Sequence, residues 1–582
     1  MPVQFSTLPV TLGVTGHRDV QDTEQLLTLL ESEISAIQAR YPHSPVMALS
    51  SLAEGADRLF ARVIMEKRLP LHVVLPFAKD EYERDFAATV AEFRELYDYA
   101  HKTGGIYCID TVIPGSEPMI SLDQNPQGSL YRDLQYAKAG MYLAQRCHIL
   151  FALWDGEKAR GLGGTAQVVN FRREGRIQDN DLAALNAKLP GIKRYLGQSN
   201  LLDVPDTGLV CHIHVRRKAG TYADGATSPS VSWYPPLPVK GQPETPSIHG
   251  EESWYRSLER LDKLNARVAK EDDANASLGT SHLCHAAFAH IDRLANKEMK
   301  DMRKVYNLIF GLAAVMALVG NRVPGDGEHW VITSLSLSLL LLVLLSVALS
   351  RVHSSRANRN ATELRALSEG LRVQNVWRQA GIARAVSLHY LRRSHDNIAW
   401  VRRAMLAASI YPQSDASTLK TAIDGVKESW VRDQKNYFEK NVHKKERKHR
   451  LAKRMAFGLF ICGIAITSGV LASSLWGLTD EHLAHTLHFW NMAGEHLAEF
   501  LIACAALCAA YAKFLGYEED IADYERSAVL FSTALAKMES HSPTPDTEDL
   551  QETLYALGIE TLQENARWVA RTTGRDVEII GG

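Results

Sequence analysis

Three glycine-bearing segments carry the residue types that hold a phosphate. In Gly13-Val14-Thr15-Gly16-His17-Arg18-Asp19 the glycines let the backbone turn tightly and bring N–H groups close to an anion. Thr15 adds a hydroxyl and Arg18 a charge-assisted fork, with His17 between them. In Ser50-Ser51-Leu52-Ala53-Glu54-Gly55-Ala56-Asp57-Arg58 Gly55 permits a turn and Ala56 packs it. Asp57 is placed to cap the next helix or to face a ligand, with Arg58 beside it. Ser50 and Ser51 are expected to face the same crevice as the first segment. The third segment is Trp154-Asp155-Gly156, followed by Gly161-Leu162-Gly163-Gly164-Thr165. There Gly163 and Gly164 expose backbone donors at an expected helix start, and Thr165 serves as cap or contact. The expected binding set is Gly13, Thr15, Gly16, His17, Arg18, Ser50, Ser51, Gly55, Asp57, Arg58, Asp155, Gly163, Gly164 and Thr165. One such turn is a common structural device; three at three strand ends point to a phosphate-bearing ligand. The sequence contains no Ser-His-Asp elbow, HExxH or Walker loop.

Positioning these turns takes strands. Short apolar runs at Val10–Thr15, Val46–Ser50, His72–Pro76, His148–Trp154 and Leu209–Val215 alternate with helical patterns such as Thr23–Arg40 and Asp57–Lys67. That alternation predicts βαβ units and a parallel, Rossmann-like sheet over residues 8–217. Ligands of such sheets sit beyond the carboxyl ends of the strands. Residues 218–252, rich in Pro, Gly, Ser and Thr, read as a linker or surface insertion between a domain at 1–217 and a helical domain at 253–582. A Pro-rich break at 542–547 precedes a last helix at 547–571.

The chain has 582 residues, several times one ordinary domain. Its 65 Lys+Arg against 67 Asp+Glu leave a formal charge of −2, which argues against a general nucleic-acid coat. The seven Cys form no CxxC pair, so neither a zinc ribbon nor a disulfide framework is expected. Residues 1–15 lack the basic start and cleavage site of a secretory signal.

Trp330–Ser350 and Met455–Leu478 are uncharged runs of 21 and 24 residues. As helices rising about 1.5 Å per residue, they match the hydrocarbon thickness of a bilayer. Weaker runs at 305–321 and 497–515 complete two expected hairpins. Basic residues gather at Lys297–Lys304, Arg351–Arg365 and Lys444–Arg454. The expected outer connections, 321–329 and 479–499, hold one Arg and none. This asymmetry predicts a multi-pass, inner-membrane protein with four spans and both termini cytoplasmic.

The N-terminal half resembles the SLOG superfamily, the Rossmann-like fold of LOG phosphoribohydrolases and DprA. The resemblance rests on Gly13–Asp19, Glu54–Arg58, Leu75-Pro76-Phe77, Trp154-Asp155-Gly156 and Gly163-Gly164-Thr165. The C-terminal half resembles SLATT, a two-transmembrane effector module, on its hairpins, Val373–Arg378, Tyr390–Arg393, Leu557–Glu560 and Glu564–Trp568. The pairing implies a sensor of a nucleotide-derived second messenger that drives pore formation or membrane disruption in bacterial antiviral defence, acting as a homo-oligomer. No resident cofactor, metal or nucleic-acid partner is implied. The LOG hydrolases cleave an N-glycosidic bond with the Glu of a PGGxGTxxE motif. Aligning Gly164-Thr165 on its GT puts Val168 at that Glu, which disfavours turnover. The alternative is a membrane-tethered LOG-like hydrolase in which Asp155, Asp57 or Glu54 replaces the missing carboxylate.

Overall fold

The computed structural model describes residues 5–573 apart from 127–128, 159–161, 193–206, 218–227, 236–252, 273–284, 321–336, 346, 348–355, 392–397, 411–415, 478–480 and 541–545. The chain forms two compact units: Met1–Leu294 with Leu364–Ala422, and Ala295–Glu363 with Ile423–Gly582.

The first unit is built on a seven-stranded sheet. Its elements run β1 (Val10–Gly16), α1 (Thr23–Arg40), β2 (Val46–Ser50), α2 (Ala56–Glu66), β3 (Leu71–Leu75), α3 (Lys79–Glu83), α4 (Val90–Thr103) and β4 (Ile106–Cys108). They continue as α5 (Glu117–Ile120), α6 (Leu130–Arg146), β5 (Ile149–Trp154), α7 (Thr165–Glu174), α8 (Asp179–Lys188), β6 (Leu209–His214) and β7 (Ser230–Tyr234). The strand order is β4-β3-β2-β1-β5-β6-β7. All neighbours are parallel except β6 and β7. The five strands expected from the sequence form. Their near-continuous apolar runs are buried along their length, as strands covered on both faces must be. Helix α1 buries Leu26, Leu30, Ile34 and Ile37, one face of a 3.6-residue period.

Two strands escape the sequence reading. β4 is three residues long, too short to show a period. β7 lies inside the segment read as a linker or surface insertion. Ser230-Val-Ser-Trp-Tyr234 pairs antiparallel with β6 from Val210↔Tyr234 to His214↔Ser230 and closes that edge. Its β-formers are hidden among turn residues, and its half-buried side chains suit an edge.

The sheet unit also takes in helices far along the chain. These are α9 (Trp254–Asp272), the start of α10 (His285–Gly320), the end of α11 (Arg356–Gln379) and α12 (Ala399–Ala404). They are tied to the amino ends of the central strands. Asn265 accepts from the Leu8 amide and donates to its carbonyl. Arg146 donates to the carbonyls of Ser409 and Ala383, at 3.1 and 3.3 Å. His148 accepts from the Thr11 amide through Nδ1 and donates from Nε2 to the Arg403 carbonyl, each at 2.9 Å. Burial and the nearby Arg172 push the His148 pKa down to about 3, so the ring is neutral.

The second unit is helical. After α13 (Ala416–Val426) it contains α14 (Asp433–Gly477), α15 (Glu481–Phe514), α16 (Tyr517–Ser540) and α17 (Thr547–Thr573). Among the described residues, two helical stretches are long and apolar enough to cross a membrane, Leu419–Trp476 and His488–Ser540. Four spans were expected. The 305–321 run ends α10, and most of 330–350 lies outside the described residues, with 337–345 helical. Helix α15 starts far ahead of the expected 497–515 span. The expected outer connection 479–499 is therefore mostly helix, a length that Glu495 and Glu499 concealed by interrupting the apolar run.

Candidate functional site

The chain leaves β1 toward β2, β3 and β4, then crosses over to place β5 on the other side of β1. Beyond such a switch point the two βα turns part and leave a crevice. A cavity of about 770 Å³ lies there, between the carboxyl ends of β1 and β5.

The β1 turn supplies Thr15, Gly16, His17 and Arg18 to its wall. Gly16 is required by packing: a Cβ there would lie 2.2 Å from that of Ala56. His17 Nε2 sits 3.0 Å from Asp155 Oδ1 and bridges the β1 and β5 turns. Burial opposes ionisation of Asp155, but His17, the Glu157 amide and Arg217 outweigh it and hold its pKa below the usual carboxylate range. The β2 turn is held from beneath. Leu52 adopts φ +55°, with its amide bonded to Ser50 Oγ at 3.0 Å and its carbonyl to Arg58 Nε at 3.1 Å. That geometry aims the Ser51 and Ala53 amides at the Asp57 carboxylate, which lines the cavity. Burial raises the Asp57 pKa to about 7, against those two amides and the charges of Arg18 and Arg58. At the β5 turn, Gly164 begins α7, whose first-turn residues Thr165 and Ala166 face the cavity. First-turn amides have no partner within their own helix and favour anions.

Much of the remaining wall comes from α3, the turn that follows it and α6. Tyr136 hydrogen-bonds Asp85, and Arg132 bridges Glu81 and Asp85 at 2.7 Å each. Tyr82 is fully buried, and its hydroxyl has no hydrogen-bond partner among the described residues. Arg18 lies over the Tyr136 ring, 5.6 Å from its centroid. Burial works against the Arg18 charge, but Tyr136, Tyr82 and Asp85 outweigh it and raise the pKa. Arg217 is already paired with Asp19 at 2.9 Å. Arg84 is paired with Glu81 and Asp123, so among the described residues Arg18 and Lys158 are the wall cations without an ion pair.

Ten expected residues converge on this cavity: Thr15, Gly16, His17, Arg18, Ser51, Asp57, Asp155, Gly163, Gly164 and Thr165. Four do not. Gly13 is mid-strand, paired with Leu49 and Leu150, and a Cβ there would press on Cys147. Ser50 is buried beneath the Leu52 turn. Gly55, at φ +76°, sits where a Cβ would fall 2.3 Å from the Arg18 carbonyl, so it locks two turns together. Arg58 is buried against Thr89, Glu92 and the Phe86 ring. The Gly163 amide is taken by Gln167 Oε1 at 2.7 Å, and Thr165 and Ala166 bring first-turn amides to the cavity wall. Val168 is buried and packs on Gly140 of α6. Asp57 accepts from amides ahead of α2 and does not cap that helix. The sequence reading missed Tyr82, Asp85, Arg132 and Tyr136. The spacing of Arg132, Tyr136 and Leu143 on one face of α6 is the signal that announces a wall helix.

Among the described residues no group of His, Cys, Asp and Glu is arranged to hold a metal. Comparison with protein-family models, curated proteins and solved structures gives no match for this chain.

Proposed function

We propose that the chain is a membrane-bound sensor–effector whose cavity takes a nucleotide-derived, phosphate-bearing ligand. The observation that carries this reading is the crevice at the β1/β5 switch point, where the amino end of α7 meets Arg18 and Lys158. Phosphates dock at Thr165 and Ala166, and Arg18 adds a forked contact. The cavity volume falls in the range of sites for small ligands, and the Trp154 and Tyr136 rings in its wall suit a nucleobase. The apolar stretches of α14 and α15 support the membrane half of the proposal. We extend it to further spans at 305–321 and 330–350, with both termini cytoplasmic in an inner membrane. The exposed Leu339, Leu340 and Leu342 support that extension. Ligand binding biases these helices toward a pore or a disrupted bilayer, by as much as its affinity differs between the two states. The SLOG and SLATT resemblances make antiviral defence the setting.

A second reading, a membrane-tethered N-glycoside hydrolase, is favoured by one observation. Asp57 is a cavity carboxyl with a pKa near 7, suited to general acid/base work.

The test uses the full-length protein in detergent or nanodiscs, screened with cyclic oligonucleotides and ADP-ribose derivatives. The expected result is a saturable rise in melting temperature without product, abolished in Arg18→Ala. A ligand at a hundred times its Kd adds about 2.7 kcal/mol. Product formation supports the hydrolase instead; no shift with any nucleotide refutes the nucleotide reading.

A further inference from the structure

Helices α14 and α15 pack antiparallel, and their contacts fix a register. A Cβ on Gly463 would lie 2.7 Å from Ile502, and one on Gly494 would lie 2.6 Å from Val470. Asn491 hydrogen-bonds Ser473 and Ser474. This register sets Glu495 and Glu499 beside residues 463–470, the middle of the uncharged run Met455–Leu478. The Glu499 side chain is 68% exposed. Glu495 is exposed and makes no ion pair among the described residues. Around them, Phe457, Ile464, Leu471 and Leu497 face outward as lipid-facing residues do. A hairpin spanning a bilayer at this register holds two carboxylates near its midplane. Hydrocarbon does not tolerate them, so such groups face water or another protein surface. The same depth carries the matching chemistry: His496 adjoins Glu495 in sequence, and its Nδ1 lies 3.9 Å from Glu499 of its own chain. A second copy inserted in the same direction sets the His496 imidazole of one copy against the Glu495 carboxylate of the other at equal depth.

Resting on the reading that this hairpin spans the membrane, we infer that copies of the chain associate in the bilayer through this polar stripe of α15, turning Glu495 and Glu499 toward a shared, hydrated axis. The test uses the full-length protein in phospholipid nanodiscs, with membranes first washed in alkaline carbonate. The wild type is expected to stay in the membrane and to form particles of at least twice the monomer's protein mass. Glu495 and Glu499 should react with a water-soluble carbodiimide and glycinamide, read by peptide mass spectrometry. The double variant Glu495→Leu/Glu499→Leu, which lipid can solvate, should stay in the membrane and fall to monomer mass. A membrane-retained wild-type monomer, whose stripe is then covered within its own chain, overturns the inference and leaves the span reading standing. So does a double variant that stays oligomeric, or labelling only by a hydrophobic carbodiimide. Release of the wild type by carbonate overturns both.

Discussion

Asp57 joins burial, charge and the cavity wall at one atom group. Its folded pKa, near 7, stands above the ordinary carboxylate value of 3.8. Between those values the folded state holds a proton that the unfolded state has lost. Stability therefore falls as pH rises across that window, and the full cost is present above pH 7. Asn resembles the protonated form, so Asp57→Asn should match the wild type near pH 4.5 and melt higher at pH 8.5. A melting difference that stays constant across this range would refute the assignment. His148 and His72 slope the other way. Burial depresses their pKa values to about 3 and about 4, and they withdraw stability as pH falls below about 6.5, which is why the variant must be compared with the wild type at each pH. Residue types in the sequence announced what side chains here can do, but facing needed the backbone. Ser50 and Ser51 are adjacent, and a strand end sends neighbours to opposite sides, so one lines the cavity and the other props a turn. Asp57 and Arg58 part for the helical version of this reason, about 100° apart around α2.

At the scale of elements the glycines act mainly as spacers. Gly16 admits Ala56, and Gly55 admits the Arg18 carbonyl. Gly16→Val forces β1 away from the start of α2 and from the Leu153 carbonyl, 2.8 Å from the ideal Cβ. It should cost roughly 3 kcal/mol or more, as overpacking of a tight site does, and lower the melting temperature with or without ligand. Arg18→Ala should abolish the ligand-induced shift while leaving the apo melt near that of the wild type, so this pair of variants separates a fold defect from a binding defect. A Gly16→Val protein that melts like the wild type would contradict the packing argument. The elements themselves were largely legible. Thr23–Arg40 is α1 as the pattern marked it, because a buried stripe on a polar helix is an unambiguous period. The failures have a common cause in β7 and α15. Turn-formers around one, and two carboxylates within the other, broke the local pattern that only tertiary pairing reveals.

At the scale of the whole molecule, the sheet unit is discontinuous in sequence. Residues 295–363 leave it and Leu364–Ala422 rejoin it. Helix α9 buries Trp254, Leu258, Leu261 and Leu264. Asn265, Ser409 and Arg403 also satisfy polar groups of Leu8, Arg146 and His148. A fragment ending at residue 217 strips away all of these partners. It leaves Arg146 and His148 with unmet hydrogen bonds at the amino ends of β1 and β5, where a lost bond to a charged group costs about 1.5–3 kcal/mol. The isolated 1–217 fragment should therefore melt at lower temperature and less cooperatively than a chain in which 1–294 is joined to 364–422 by a Gly/Ser linker. It should also bind a hydrophobic dye before melting, because apolar surface under α9 is uncovered. Both proteins lack the long apolar stretches of the second unit, so calorimetry in plain buffer decides the matter. Equal, cooperative melts for the two would mean that the C-terminal helices rest on a domain already complete without them.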